Sequence, residues 1–332
     1  MNIHLEDLSM KTCFRHAAMA VAALSGLGLA QPAAADEAGV SFWLPGQFGS
    51  FAAVPGAPGW GMGLVYYHTS TDASGSRTFP IGGQLTAGLD ATADLLFAQG
   101  SYVLAAPVAG GQAAFALTGL YGRLKIGVDA TLSGPGGGSV SGSRSDTLVS
   151  AGDLYPMASL KWNRGNHNYM AYTMAGVPVG SYTKGRLANL GTNHWSLDAG
   201  GGYTYLDAQK GRELSAVLGF TYAWENKDTD YQNGTSAHLD WAASQFLSEQ
   251  LHVGLVGYFY HQLTGDSGAG AVLGDFKSKV SGLGPQVGYF LPVGGQKWYM
   301  NLKGFKEFDA KNRPEGWNLW LTLGIPLTPG KK

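Results

Sequence analysis

What most constrains this chain is an alternation. From Trp60 onward, apolar and polar residues trade places with a period of two in several of about a dozen separate stretches. The ranges 60–70, 92–106, 112–131, 147–163, 166–181, 192–207, 212–226, 236–247, 250–263, 276–292, 296–309 and 314–327 read as strands. In a pleated strand successive side chains point to opposite faces, so each stretch carries two different faces. Between 192 and 207, for example, Trp195, Leu197, Ala199, Tyr203 and Tyr205 share one face, and Ser196, Asp198 and Thr204 share the other. The connections alternate as well. Those after odd-numbered stretches are long and polar (71–91, 132–146, 182–191, 227–235, 264–275), except for the moderate eleventh, 310–313, and those after even-numbered ones are short. Short turns at one rim and long loops at the other are the plan of an outer-membrane barrel. Lipid tolerates no open sheet edge, so such a sheet must close on itself. The expected fold is all-β: a transmembrane antiparallel β-barrel of about 12 strands. Trp162, Trp195, Tyr205, Trp224, Trp241, Trp298 and Trp317 lie near the ends of apolar faces, as aromatic girdles require.

Composition narrows the class further. Only 14% of the 332 residues are charged, while glycine reaches 51 and aromatics 12%. Mean hydropathy is −0.04, as expected when apolar and polar faces average out. The net charge of −1 offers no basic face for nucleic acid. Lys11 and Arg15 precede an apolar run from Ala17 to Ala30, and Ala33 and Ala35 are small residues before Asp36. That order is a secretory signal peptide over 1–35, with Met10 a second candidate start. The single cysteine, Cys13, falls inside it, which leaves the exported chain without thiol chemistry.

Between the signal and the first strand runs GVSFWLPGQFGSFAAVPGAPGW, Gly39 to Trp60. Prolines and glycines break it too often for a helix or a long strand, yet its rings need cover. Residues 36–59 are therefore expected to form a plug-like segment in the lumen or under the barrel, with 60–332 as the barrel. Phe42, Trp43, Phe48 and Phe51 are its plug or gate residues.

Inward phases place Arg123, Lys125, Asp129, Asp153, Lys161, Asp198, His238, Asp240, Lys303 and Glu307 in the lumen, where opposite charges would satisfy one another. Tyr258, Tyr260, Phe305 and Trp320 share those phases and suggest an apolar path. Pro156, Pro178 and Pro285 fall within expected strands. Proline lacks a ladder donor, so Pro156 and Pro178 mark either a bulge or a lateral seam. Gly265-Asp266-Ser267-Gly268 has the look of a nucleophile turn, but it lies in a glycine-rich outer loop, and a triad needs His and Asp brought to the serine in space. Asp228, Asp230 and Asn233 miss a calcium-loop spacing by one residue. His252, His261, His238 and Asp240 give no convergent ligand set. No catalytic residue, metal or cofactor is expected.

Several stretches resemble a known family: Gly39–Gly46 (GVSFWLPG), Tyr66–Ser70 (YYHTS), Gly152–Tyr155 (GDLY), Arg186–Gly191 (RLANLG), Asp198–Tyr205 (DAGGGYTY), His238–Trp241 (HLDW), Gly284–Gln286 (GPQ) and Asn301–Gly304 (NLKG). The chain is similar to the outer-membrane family associated with meta-pathway phenol degradation, itself similar to the long-chain fatty-acid and aromatic-hydrocarbon uptake channels. The resemblance implies a Gram-negative outer-membrane barrel, a passive channel for small hydrophobic, phenol-like compounds. A structural or adhesion barrel with a sealed lumen is the rival reading, and an outer-membrane hydrolase a weaker one. Expected partners are outer-membrane lipid, lipopolysaccharide and a small hydrophobic solute, with the chain acting as a monomer. One departure from the family is the C-terminus, which ends after Pro326 and Leu327 in a polar tail without a terminal aromatic.

Overall fold

A computed structural model describes residues 41–78, 84–133, 138–271 and 277–328. The expected signal peptide and the first residues of the plug-like segment lie outside the described residues. Twelve strands run β1 (Gly59–Thr78), β2 (Gln84–Val103), β3 (Gln112–Ser133), β4 (Ser139–Arg164), β5 (His167–Gly176), β6 (Ser196–Asp207), β7 (Arg212–Ala223), β8 (Ser236–Phe246), β9 (Leu251–Gln262), β10 (Lys279–Val293), β11 (Gln296–Lys311) and β12 (Glu315–Pro326). Each pairs antiparallel with its sequence neighbours, and β1 pairs β12 from Gly61–Pro326 to Asp72–Glu315. The sheet is closed, as a lipid-spanning sheet must be.

The wall has two faces, and the period of two explains both. Leu214, Leu218, Phe220 and Tyr222 on β7, and Leu255 and Phe259 on β9, lie exposed on the outside. Ser215, Val217 and Thr221 on β7 alternate with them and are buried inside, as are Val256, Tyr258 and Tyr260 on β9. The aromatics assigned to the girdles lie on outward phases; Trp195, Trp224 and Trp317 are each about half exposed.

The structure departs from the sequence expectation at the long-loop rim. The polar stretches 71–91 and 132–146 were expected as loops, but much of each is strand. The hairpins β1–β2 and β3–β4 stay paired as far as Thr78–Gln84 and Ser133–Ser139. Beyond Asp72, β1 pairs only with β2, because β12 begins at Glu315. In this upper part the outside meets water instead of lipid, and the polarity of the faces inverts. Arg123, Lys125 and Asp129, expected in the lumen, point outward and are exposed. Leu120, Leu124 and Ile126 take the inward positions and join a buried cluster with Tyr155, Ala188 and Leu190. A third difference concerns Pro178, which follows the end of β5 at Gly176 instead of lying within it.

Candidate functional site

Residues 41–58 run inside the barrel. They contain no strand or helix, only turns, and the wall meets them with side chains aimed at their backbone. Asp240 on β8 accepts from the amides of Gly46 and Phe48, 3.0 Å from each of its two oxygens. Lys303 on β11 donates in the other direction, to the carbonyls of Gly46 (2.6 Å), Gln47 (3.3 Å) and Phe48 (3.0 Å). A carboxylate and an ammonium, both buried, are thus bridged by one short peptide. Hydrogen bonds to charged groups are the strong kind in a dry interior.

Lower down, Glu213 on β7 accepts from Ser50 Oγ (2.8 Å) and the Phe51 amide (3.1 Å). Gln286 on β10 donates to Ser50 Oγ at 2.8 Å, and Ser244 lies 2.9 Å from the same hydroxyl. The Ala53 amide reaches Thr204 Oγ1 (3.1 Å), and Lys161 reaches the Val54 carbonyl (3.3 Å). At this point the chain is close to the short-turn rim, from which it turns into β1.

The rings of the segment have partners of their own. Trp43 is 2% exposed and stacks on the His238 imidazole with centroids 3.5 Å apart. His238 is held by Asp198, whose carboxylate takes His238 Nε2 (3.0 Å), Tyr172 OH (2.6 Å) and Thr221 Oγ1 (2.6 Å). Phe42 packs on Tyr155, and Phe48 meets Tyr172 edge-on at 5.2 Å. Phe51 sits in a cage of Phe246, His252, Phe290 and Tyr299.

The remaining residues singled out from the sequence fall into separate groups. Asp153 sits inward at a bulge on β4, with a shift of register opposite Gly119 and Tyr121. It accepts from Gly180 N, Thr192 N and Thr192 Oγ1, each at 2.8 Å, and so anchors the connection 177–195. Tyr258 donates to Glu307 at 2.7 Å, and Glu307 also receives the Gly316 amide. Tyr260 lies under the Arg313 guanidinium at 5.1 Å, and Lys303 sits 5.2 Å over the Trp320 ring. Pro156 lies on the β4 edge that faces β5. Leu154 and Val177 exchange two backbone bonds there (3.3 and 2.9 Å), and Ser181 extends the contact to Ala151. Asp266, from the nucleophile-like turn, ties loops together through Tyr231, Gly234 and Gln262. Sequence reasoning missed Glu213, Thr204, Ser244 and Gln286 as partners of the segment. Their inward phase was the available signal.

Residues 71–323 match the family described as "Putative MetA-pathway of phenol degradation". The chain belongs to this family. No curated protein is a significant match. Among solved structures, an outer membrane channel from Pseudomonas putida F1 is similar over 83% of this chain and 98% of that one, at 17% identity and a TM-score of 0.65. The translocator domain of the autotransporter NalP from Neisseria meningitidis covers 83% of this chain and 91% of its own, at 10% identity and a TM-score of 0.37. The first likeness establishes the outer-membrane barrel fold. Substrate and route are matters for the chain's own residues.

Proposed function

We propose that this family member is a monomeric, non-enzymatic outer-membrane channel for passive uptake of small hydrophobic compounds, and that its N-terminal segment is the gate. The observation that carries the reading is the double clamp on Gly46–Phe48 by Asp240 and Lys303, inside the barrel lumen. The segment is held at Gly46–Phe48 through its backbone, which leaves its rings to make separate contacts. Its ring contacts, Trp43 on His238 and Phe48 on Tyr172, are of a kind that a passing aromatic solute can replace. A route along the axis also fits the short-turn rim, where a cavity beside the segment reaches Trp60, Ile325 and Pro326. The β4–β5 line near Pro156 is bonded up to Leu154 and Val177, which favours axial passage over a sideways exit.

The test is deletion of Val40 to Pro58, with the purified chain reconstituted into liposomes. The expected result is a faster and less selective flux of small aromatic solutes than through the intact chain. Unaltered flux would remove the segment from the pathway.

A further inference from the structure

The lumen is divided by chemistry. The charged side chains that bond the segment, Lys161, Glu213, Asp240 and Lys303, stand on β4, β7, β8 and β11. Across the segment lies a cavity of about 480 Å³ against β1–β5 and β12. Its described lining holds no Asp, Glu, Lys, Arg or His. The volume is in the usual range for small-molecule sites, about 300–1,000 Å³.

Its apolar surface is soft and aromatic. Met157 and Met174 present thioethers, and Phe97 and Trp320 present rings. Thioethers adapt their shape and favour contact with aromatic rings. An ion would enter such a space without a countercharge and at a high desolvation cost. Two amides supply the polarity. Gln99 donates from Nε2 to Thr118 Oγ1 at 3.0 Å, which fixes the amide plane and leaves Oε1 as an acceptor. Among the described residues Gln47 Nε2 meets the Met174 sulfur, at 3.8 Å, a weak acceptor that a better one can displace.

We infer that this cavity is a binding site for a neutral ring compound carrying one hydroxyl group, recognised by the Gln99 and Gln47 amides and closed to carboxylates. The inference deepens the channel reading and rests on it only for how the solute arrives. Because Gln47 belongs to the segment, an occupying solute touches the gate itself.

Three probes of similar ring size test it: 2-naphthol, naphthalene and 2-naphthoate, titrated by calorimetry at neutral pH into the purified chain, with empty micelles subtracted. The naphthol is expected to bind about tenfold more tightly than naphthalene, the difference one well-placed hydrogen bond supplies. The naphthoate is expected not to bind. Gln99→Leu should remove the tenfold advantage of the naphthol and leave naphthalene binding unchanged, and Thr118→Val should do the same in part. Heat-modifiable electrophoretic migration shows that each variant has folded. Equal binding of naphthol and naphthalene would overturn the site as a hydroxyl reader, as would naphthoate binding as tight as naphthol or a Gln99→Leu chain with intact preference. The two readings fail separately. Preferential naphthol binding without flux in liposomes sinks the channel and spares the site, whereas flux without preferential binding does the reverse.

Discussion

Asp240 and Lys303 hold the segment by its main chain, so most of its side chains are free of that clamp. Gly46 is the exception. Its φ is +85°, in the left-handed region, and a Cβ there would come within 3.0 Å of Phe305 and 3.1 Å of Tyr258. The clamp also makes a quantitative prediction. Lys303→Met removes the donor to three carbonyls and leaves Asp240 without a nearby cation, and each hydrogen bond to a charged group contributes about 1.5–3 kcal/mol. The open fraction should rise at least about tenfold. Liposome flux measures it: Lys303→Met is expected to speed the intact chain and to leave the Val40–Pro58 deletion chain little changed. Equal effects in both backgrounds would show that Lys303 acts on the pore and not through the segment. The sequence placed both clamp residues on inward phases, but as charges that would satisfy one another and not as partners of the segment. Glu213 was not among them, since it stands next to the turn at the start of β7, where a carboxylate reads as a solvated end.

At the scale of elements, the β4–β5 line is the part of the wall that is closed by a connection instead of a strand. β5 is 10 residues long against 26 for β4, and above Leu154 the β4 edge is met by 177–195. Asp153 and Asp146 fasten that connection, Asp146 through Arg186 (2.8 Å) and the Ala188 amide (3.2 Å). A disulfide across the line separates axial from sideways passage. Leu154 and Val177 exchange backbone bonds, and such antiparallel pairs have Cα atoms about 5.5 Å apart, within disulfide reach. Cys13, in the expected signal peptide, is the chain's only cysteine, so the background is clean. With Leu154→Cys and Val177→Cys oxidised, flux should match the reduced chain, and a fall that reductant reverses would mean that solute leaves through this seam. The sequence foretold the strands but misplaced the rim between them. Alternation in GRLKIGVDATL was plain; which phase faced inward was not, because a charged side chain can face the lumen within the lipid band or water above it. Height above the membrane decides the phase, and a linear pattern does not encode height. The same blind spot turned the paired polar strands of 71–78 and 84–91 into a loop.

For the whole molecule, that inversion divides the outer surface into a lipid-facing band and a water-facing collar, and the division can be measured. Leu218 lies mid-strand on β7, 48% exposed, opposite Gly201 and Leu239 on its two neighbours. It lies in the row of outward apolar side chains, with Leu214, Phe220 and Tyr222, where the hydrocarbon is expected. Arginine on the lipid face at that depth costs about 2–4 kcal/mol, and the cost fades toward the boundary. Arg123 stands opposite Asp94 on β2 and points outward from the collar. It already occupies such a face, at a height where water can reach it. Leu218→Arg should therefore lower unfolding stability by about 2–4 kcal/mol in urea titrations of vesicle-embedded protein. Arg123→Leu should stay within about 0.5 kcal/mol, as surface exchanges do. A neutral Leu218→Arg, or a large gain from Arg123→Leu, would move the membrane up the barrel and put the collar in lipid. Residues 41–58 would then sit in the lower half of the membrane, and the cavity beside them would lie nearer the periplasmic water than the hydrocarbon midplane. The depth of the band and the route of the solute are thus tied together by one pair of substitutions on the outer wall.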